Sequence, residues 1–337
     1  MLLCAQTAAP KTRKPAAKKA AVKPAPKPAA KPEQKPAAVA VSTAAAPAPD
    51  PFDEALEKIR SKDPSERRQA ADFIGQSRNA KGAPALMSAL SDDSPRVRQT
   101  AADALGMLTW RAASPKLAEM LLKDADESVR QQAAISLSYL MDQASGPALV
   151  KALKDASPAV RYAALHTLAV MKYSPAENEI IALLSSGDAN MRRGAISALG
   201  LLQSKKASAA LASALKDPDE YVRLEAVKAL GDIGDTSSAG ELVKLLPQDV
   251  QPQLRMEAAL SLAKMGRNDG LNTAYEFVKS PDMSLKSQAL NVIAAVGDAR
   301  SLQFIDEIYA GETDPANKSM LDFTRQRLMI RLKQQQK

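Results

Sequence analysis

Eight basic residues recur along this chain at nearly constant spacing. They are Arg67, Arg98, Arg130, Arg161, Arg192, Arg223, Arg255 and Lys286, always 31 or 32 residues apart. A fixed period of this size means stacked copies of one supersecondary unit, none of which buries its apolar face alone. With the basic residue as position 0, position +3 is alanine in every unit: Ala70, Ala101, Ala133, Ala164, Ala195, Ala226, Ala258 and Ala289. Position +7 is leucine or isoleucine in every unit, from Ile74 and Leu105 to Leu262 and Ile293. Position −1 is apolar in seven units, with Glu66 the exception. Positions −1, +3, +4 and +7 share one face of a 3.6-residue helix. The alanines let neighbouring helices approach, and the Leu/Ile row supplies apolar area.

A second helix precedes the first in each unit. Its apolar cluster lies eight to twelve residues before position 0, as in Leu86 and Leu90, Leu149 and Leu153, Ile180 and Leu184, and Leu211 and Leu215. Pro64, Pro95, Pro158 and Pro252 suit the first turn of the following helix, and Asp63, Ser94 and Ser157 stand where a capping side chain would. No segment alternates as a strand does. The units are helical hairpins.

The pattern Asp-x-x-x-Val-Arg-x-x-Ala-x-x-Ala-Leu-Gly is nearly intact from Asp93 to Gly106. It returns from Tyr221 to Gly231 and is followed by Gly-Asp-Ile-Gly-Asp at 231–235. These residues resemble the HEAT family, in the short HEAT-like form of the phycobilin lyases, over about residues 53–313. The resemblance implies an all-α fold, a right-handed α-solenoid of about eight hairpins. It also implies a role for the aspartates six residues before position 0, namely Asp92, Asp124, Asp155, Asp217 and Asp249. With Arg98, Arg130, Arg161, Arg223 and Arg255 they would form the Asp–Arg ladder that joins successive turns in HEAT repeats. A stripe of free arginines binding phosphate or carboxylate is the alternative, which the aspartates would neutralise.

Charge divides the chain into three parts: a tail over 1–51, the solenoid over 52–315 and a basic capping helix over 316–337. Residues 1–50 carry eight Lys and Arg13 against Glu33 and Asp50, for +7; residues 51–315 carry −4; residues 316–337 carry +5. The tail holds 17 Ala and 9 Pro and no aromatic residue, so it is expected to be a disordered, extended spacer. Its lysines would also suit non-specific contact with nucleic acid or an anionic surface. Met1 to Gln6 resemble the end of a secretory signal, with Cys4 near a cleavage or lipidation site. That reading favours export slightly over the cytoplasm. Leu2-Leu3 lacks the small residue usual before a lipidated cysteine.

One cysteine and one histidine, His166, are too few for a disulfide, a cysteine zinc site or a multi-imidazole centre. HEAT-like deoxyhypusine hydroxylase uses several His-Glu pairs, whereas Thr167 follows His166 here. HEAT-like DNA glycosylases use a basic concave surface, whereas the repeat region here is acidic and Trp110 is its one tryptophan. No phosphate loop, nucleophile elbow or metal-ligand spacing is present, so no cofactor is expected. The expected function is a non-enzymatic scaffold for unidentified protein partners, spaced or tethered by the tail. An enzyme or enzyme subunit acting on a protein or pigment is the alternative, and nucleic-acid binding through the tail a second. Positions +1, +2 and +5 are taken as outward-facing, and five there are apolar: Ile135, Tyr162, Leu224, Met256 and Leu260. With His166 they form the candidate partner-binding strip; wider packing between units is the competing explanation.

Overall fold

The computed structural model describes residues 50–335, so the expectations for residues 1–49 lie outside the described residues. Within it the chain forms eighteen α-helices and no strand. Short helices alternate with long ones. The short helices are α1 (Pro51–Lys58), α3 (Ala83–Ala89), α5 (Ser114–Lys123), α7 (Gly146–Ala152), α9 (Glu177–Ala182), α11 (Ser208–Ala214), α13 (Ala239–Val243) and α15 (Leu271–Phe277). The long helices carry the periodic residues: α2 (Pro64–Ser77), α4 (Pro95–Met107), α6 (Glu127–Leu140), α8 (Pro158–Val170), α10 (Ala189–Leu201), α12 (Glu220–Ile233), α14 (Pro252–Lys264) and α16 (Met283–Val296). A ninth pair, α17 (Ala299–Gly311) and α18 (Pro315–Gln335), closes the array.

Each long helix packs on its own short helix and on the long helices before and after it. The position +3 alanines are at most 3% exposed and the position +7 side chains are 0% exposed in all eight units. That places both rows between helices. Close approach is tightest where α12 crosses α14: a methyl group on Gly231 would fall 2.6 Å from Ser261 Cβ and 2.8 Å from its Cα. The apolar interior forms two clusters that meet on α14. Leu254, Ala258 and Leu262 belong to the first, Met256, Ala259 and Ala263 to the second. Helix α18 completes the second cluster with Leu321 and Leu328, and its Arg331 donates to the carbonyls of Ala294 and Gly297 at the end of α16.

Long-helix starts follow the capping logic only in part. Asp63, Asp126, Asp188, Asp219 and Asp282 accept first-turn N–H bonds, but Ser94 and Ser157 make no side-chain cap bond. Their own N–H groups instead donate to Asp92 and Asp155.

Those aspartates are rungs of a ladder. In each complete rung the arginine Nε and Nη2 grip both carboxylate oxygens of the next unit's aspartate. The pairs are Arg67 with Asp92 (2.7 and 2.8 Å), Arg98 with Asp124 (2.8 and 2.7 Å), Arg130 with Asp155 (2.8 and 2.9 Å) and Arg192 with Asp217 (2.7 and 2.7 Å). Within its own unit the arginine reaches the aspartate only through the backbone, as Arg98 Nη1 does to Asp92 O at 2.9 Å. The ladder is incomplete. Ser186 stands where Arg161 would need an aspartate, so Arg161 bonds only the carbonyls of Asp155 and Ala156. Asp249 is exposed and takes no bond from Arg223, and Arg255 pairs with Glu276 at 2.7 Å. The expected pairings of Arg161, Arg223, Asp249 and Arg255 are thereby corrected: in the four complete rungs the aspartate comes from the following turn, the turns after Arg161 and Arg223 supply none, and Arg255 takes a glutamate of α15 instead.

The Arg130 hydrogen bond holds the Asp155 carboxyl below its ordinary range, and the Arg192 bond does the same for Asp217, each against the opposing effect of burial. A carboxyl whose folded value is depressed contributes stability above its unfolded value, about 4, and loses it as pH falls through the folded value. Denaturant midpoints should therefore drop steeply below about pH 4. Asp155→Asn combined with Asp217→Asn should be less stable at pH 7 and show a shallower drop; an unchanged acid slope would mean that the rungs carry no linkage.

Position +11 ends every long helix of units 1–7 in the left-handed region. Arg78, Thr109, Met141, Lys172 and Gln203 have φ between 49° and 52°, and Gly234 and Gly266 occupy the same place at 68° and 76°. For a β-branched residue this backbone is costly, whereas glycine adopts it freely. Thr109 is exposed and donates its N–H to Gly106 O, a bond that glycine keeps. Relief of about 1–2 kcal/mol of strain outweighs the extra unfolded-chain entropy of glycine, about 0.5–1 kcal/mol. Thr109→Gly should raise stability by about 0.5–1 kcal/mol in chemical denaturation.

Candidate protein-interaction face

The outward direction of a long helix follows from about 100° per residue. Position +9 lies about 180° from position 0, whereas +1 lies only about 100° away, on the flank. The structure agrees with that geometry. Position +9 is exposed in all eight units: Gln76, Met107, Tyr139, Val170, Leu201, Asp232, Lys264 and Ala295.

Four consecutive units place large apolar side chains there. Met107, Tyr139, Val170 and Leu201 are 37%, 54%, 39% and 51% exposed, and Phe73, one turn earlier on α2, is 43% exposed. The row is continuous at its start. A methyl group on Gly75 would meet Met107 Cε at 2.9 Å, and one on Gly106 would meet Tyr139 Cδ2 at 3.1 Å, so each side chain leans over the preceding helix. Beside the row, left-handed Met141 adds another exposed apolar side chain. The row ends at Asp232 and Lys264, which pair at 2.7 Å in the same register.

Polar groups border the row on one side. Asp103, at position +5, accepts from Gln132 Nε2 at 2.9 Å. Burial, followed by the charge of Asp72, pushes its carboxyl up. Burial does the same to Glu257. No group of three or more His, Cys, Asp or Glu side chains is placed to hold a metal among the described residues. No helix among them is long and apolar enough to cross a membrane.

Residues 52–138, 114–179 and 177–252 match the family of HEAT repeats. This chain belongs to that family. No protein of curated function matches it. Among solved structures, YibA of Escherichia coli is 21% identical, aligns 80% of this chain with 99% of its own and gives a TM-score of 0.55. The CpcE–CpcF complex of phycocyanin lyase from Nostoc sp. PCC7120 is 25% identical over 75% of this chain and 96% of that one, at a TM-score of 0.43. Human deoxyhypusine hydroxylase is 18% identical over 73% and 95%, at 0.34. Of the three, YibA bears on the HEAT fold, and on the fold alone.

Most of the strip expected from the sequence is packing between HEAT units. Met256 is 0% exposed and belongs to the second apolar cluster. Ile135, Tyr162 and Leu224 are half-buried against the first cluster and Leu260 against the second. For Tyr162, Leu224 and Met256 the reason is angular: position +1 points at the neighbouring long helix, so a bulky apolar residue there fills the seam between units, whereas Ile135 and Leu260 stand at position +5 and are half-buried as well. Tyr162 also uses its polar end, donating to Asp188 at 2.6 Å where Arg161 lacks its rung. Burial, then that hydrogen bond, pushes the phenol up to about 12. His166 alone is exposed as placed.

The position +9 column was present in the sequence as Met107, Tyr139, Val170 and Leu201. Extending the helical count by one more turn beyond position +5 would have found it. Because Met256 fills the core, Met256→Ala should destabilise the protein by about 2–5 kcal/mol, whereas His166→Ala should change stability by less than about 0.5 kcal/mol. Equal, small effects in urea denaturation would return Met256 to the surface.

Proposed function

We propose that this HEAT-repeat protein is a non-enzymatic scaffold that holds an extended segment of a protein partner across α4, α6, α8 and α10. The observation that carries the reading is the exposed row Met107, Tyr139, Val170 and Leu201, one apolar side chain per unit. Folding gains little from these side chains, and their recurrence in four successive units supports an interaction surface. Packed helices sit about 8–10 Å apart, and three residues of extended or polyproline chain cover about 9–10 Å. A partner segment with an apolar residue at every third position therefore meets one side chain of the row per unit. The row ends where Asp232 and Lys264 pair, which limits such a segment to about a dozen residues.

Full burial of each half-exposed side chain contributes about 1 kcal/mol, so three of them carry about 100-fold in affinity. A photoreactive phenylalanine analogue at Tyr139 or Leu201 should cross-link one partner, and the same group at exposed Leu122 on α5 should not. The triple variant Met107→Ser, Tyr139→Ser, Leu201→Ser should weaken binding of that partner about 100-fold at an unchanged melting temperature. Equal cross-linking from Leu122, or a triple variant that binds as before, would reject the reading.

A further inference from the structure

The incomplete ladder leaves a mould for a carboxylate between units 6 and 7. Every complete rung has the same three donors. Two are the Nε and Nη2 of one unit's arginine, and the third is a backbone N–H two residues after the aspartate of the next. For the Arg192–Asp217 rung these bonds measure 2.7, 2.7 and 2.9 Å, the last from the Asp219 N–H. The Arg67, Arg98 and Arg130 rungs repeat the third bond through the N–H groups of Ser94, Asp126 and Ser157, at 2.9–3.0 Å.

Arg223 is held as the rung arginines are. Its Nη1 donates to Asp217 O at 2.8 Å and Pro218 O at 3.1 Å, six and five residues back. This anchors the guanidinium through Nη1 as in the complete rungs, and its Nε and Nη2 take no partner among the described residues. The turn before α14 runs differently from its counterparts. Arg255 bonds Leu246 O, nine residues back, and Asp249 points into solvent. The N–H of Gln251, the third donor by position, is likewise without an acceptor there, and Gln251 gives α14 no side-chain cap. A groove at this joint is lined by Arg223, Gln251 and Gln253, with Tyr221, Leu224 and Leu254 as apolar groups and Glu220 beside them. At the other incomplete joint Tyr162 binds Asp188, and Asp188 caps α10.

We infer that the Arg223 groove binds a single carboxylate side chain of a protein partner, which completes the rung that Asp249 does not. A two-pronged guanidinium with a backbone N–H matches a carboxylate in geometry as well as charge. Tyr221, 59% exposed, and Leu224 favour an apolar neighbour beside the acid, and Glu220 disfavours a run of acids. This site is independent of the position +9 row, and its test uses a peptide too short to span that row.

The full chain, labelled with nitrogen-15, is titrated with acetyl-Leu-Asp-Leu-amide and, separately, acetyl-Leu-Asn-Leu-amide. The Arg223 Nε–H and Gln251 N–H resonances should move saturably with the aspartate peptide, and the asparagine peptide should bind about tenfold more weakly. Arg223→Lys keeps the charge but not the fork and should reduce the aspartate peptide to the asparagine level. Gln251→Pro suits its φ of −54° and leaves the fork intact, and it should weaken binding by a smaller factor. Equal response to both peptides, equal movement of the closed Arg98 rung, or no saturation would overturn the proposal. So would binding that emerges only in Asp249→Asn, since the chain's own carboxylate would then fill the mould.

Discussion

Contact between long helices at alanine sets everything else in this protein. A single hairpin leaves its −1, +3, +4 and +7 face uncovered, and only a second hairpin laid against it removes that face from water. Alanine at +3 in all eight units, never more than 3% exposed, keeps the separation short and uniform. Uniform separation is what lets the arginine of one unit grip the aspartate of the next with the same geometry at four joints. It also aligns position +9 into a row. Larger residues at +3 would spread the units and lose rung and row together.

The fold was legible because its signal is repeated. The eight-fold recurrence of Ala70 to Ala289 and Ile74 to Ile293 averages out local exceptions such as Glu66. The candidate surface was legible only in part, for a reason of angle. Positions +1 and +9 both carry apolar residues, but one faces a neighbour and the other faces solvent. Polarity alone does not separate Met256, which is fully buried, from Leu201, which is half exposed. The helical count does. The ladder gaps were visible in one case: Ser186 already breaks the Asp column in the sequence. The gap at Asp249 was not, since the residue type is correct and the spacing of 32 residues also occurs at the intact Arg98 joint. There the path of the turn decides, and Arg255 reaching back to Leu246 records it.

The two surfaces lie at opposite ends of the long helices. The arginine row sits in their first turn and the apolar row in their last, nine residues or about 13 Å apart along the axis. They also lie on opposite sides of those helices, since position +9 is about 180° from position 0, so one straight segment does not reach both. The apolar row early in the array and the Arg223 groove late in it are therefore two separate surfaces.

Helix α14 is where the apolar interior of the array divides. The rungs stop before it, and Leu254, Ala258 and Leu262 turn to one cluster and Met256, Ala259 and Ala263 to the other. In a linear array, stability is the sum of each unit and its couplings to its immediate neighbours. A joint without its charged rung is a weaker coupling, and a divided interior carries less of the strain of one side to the other. Sub-global opening, the slow exchange of backbone amides with solvent in blocks, would then begin at this seam. It would release α14–α18 as one block from a longer block formed by α1–α12.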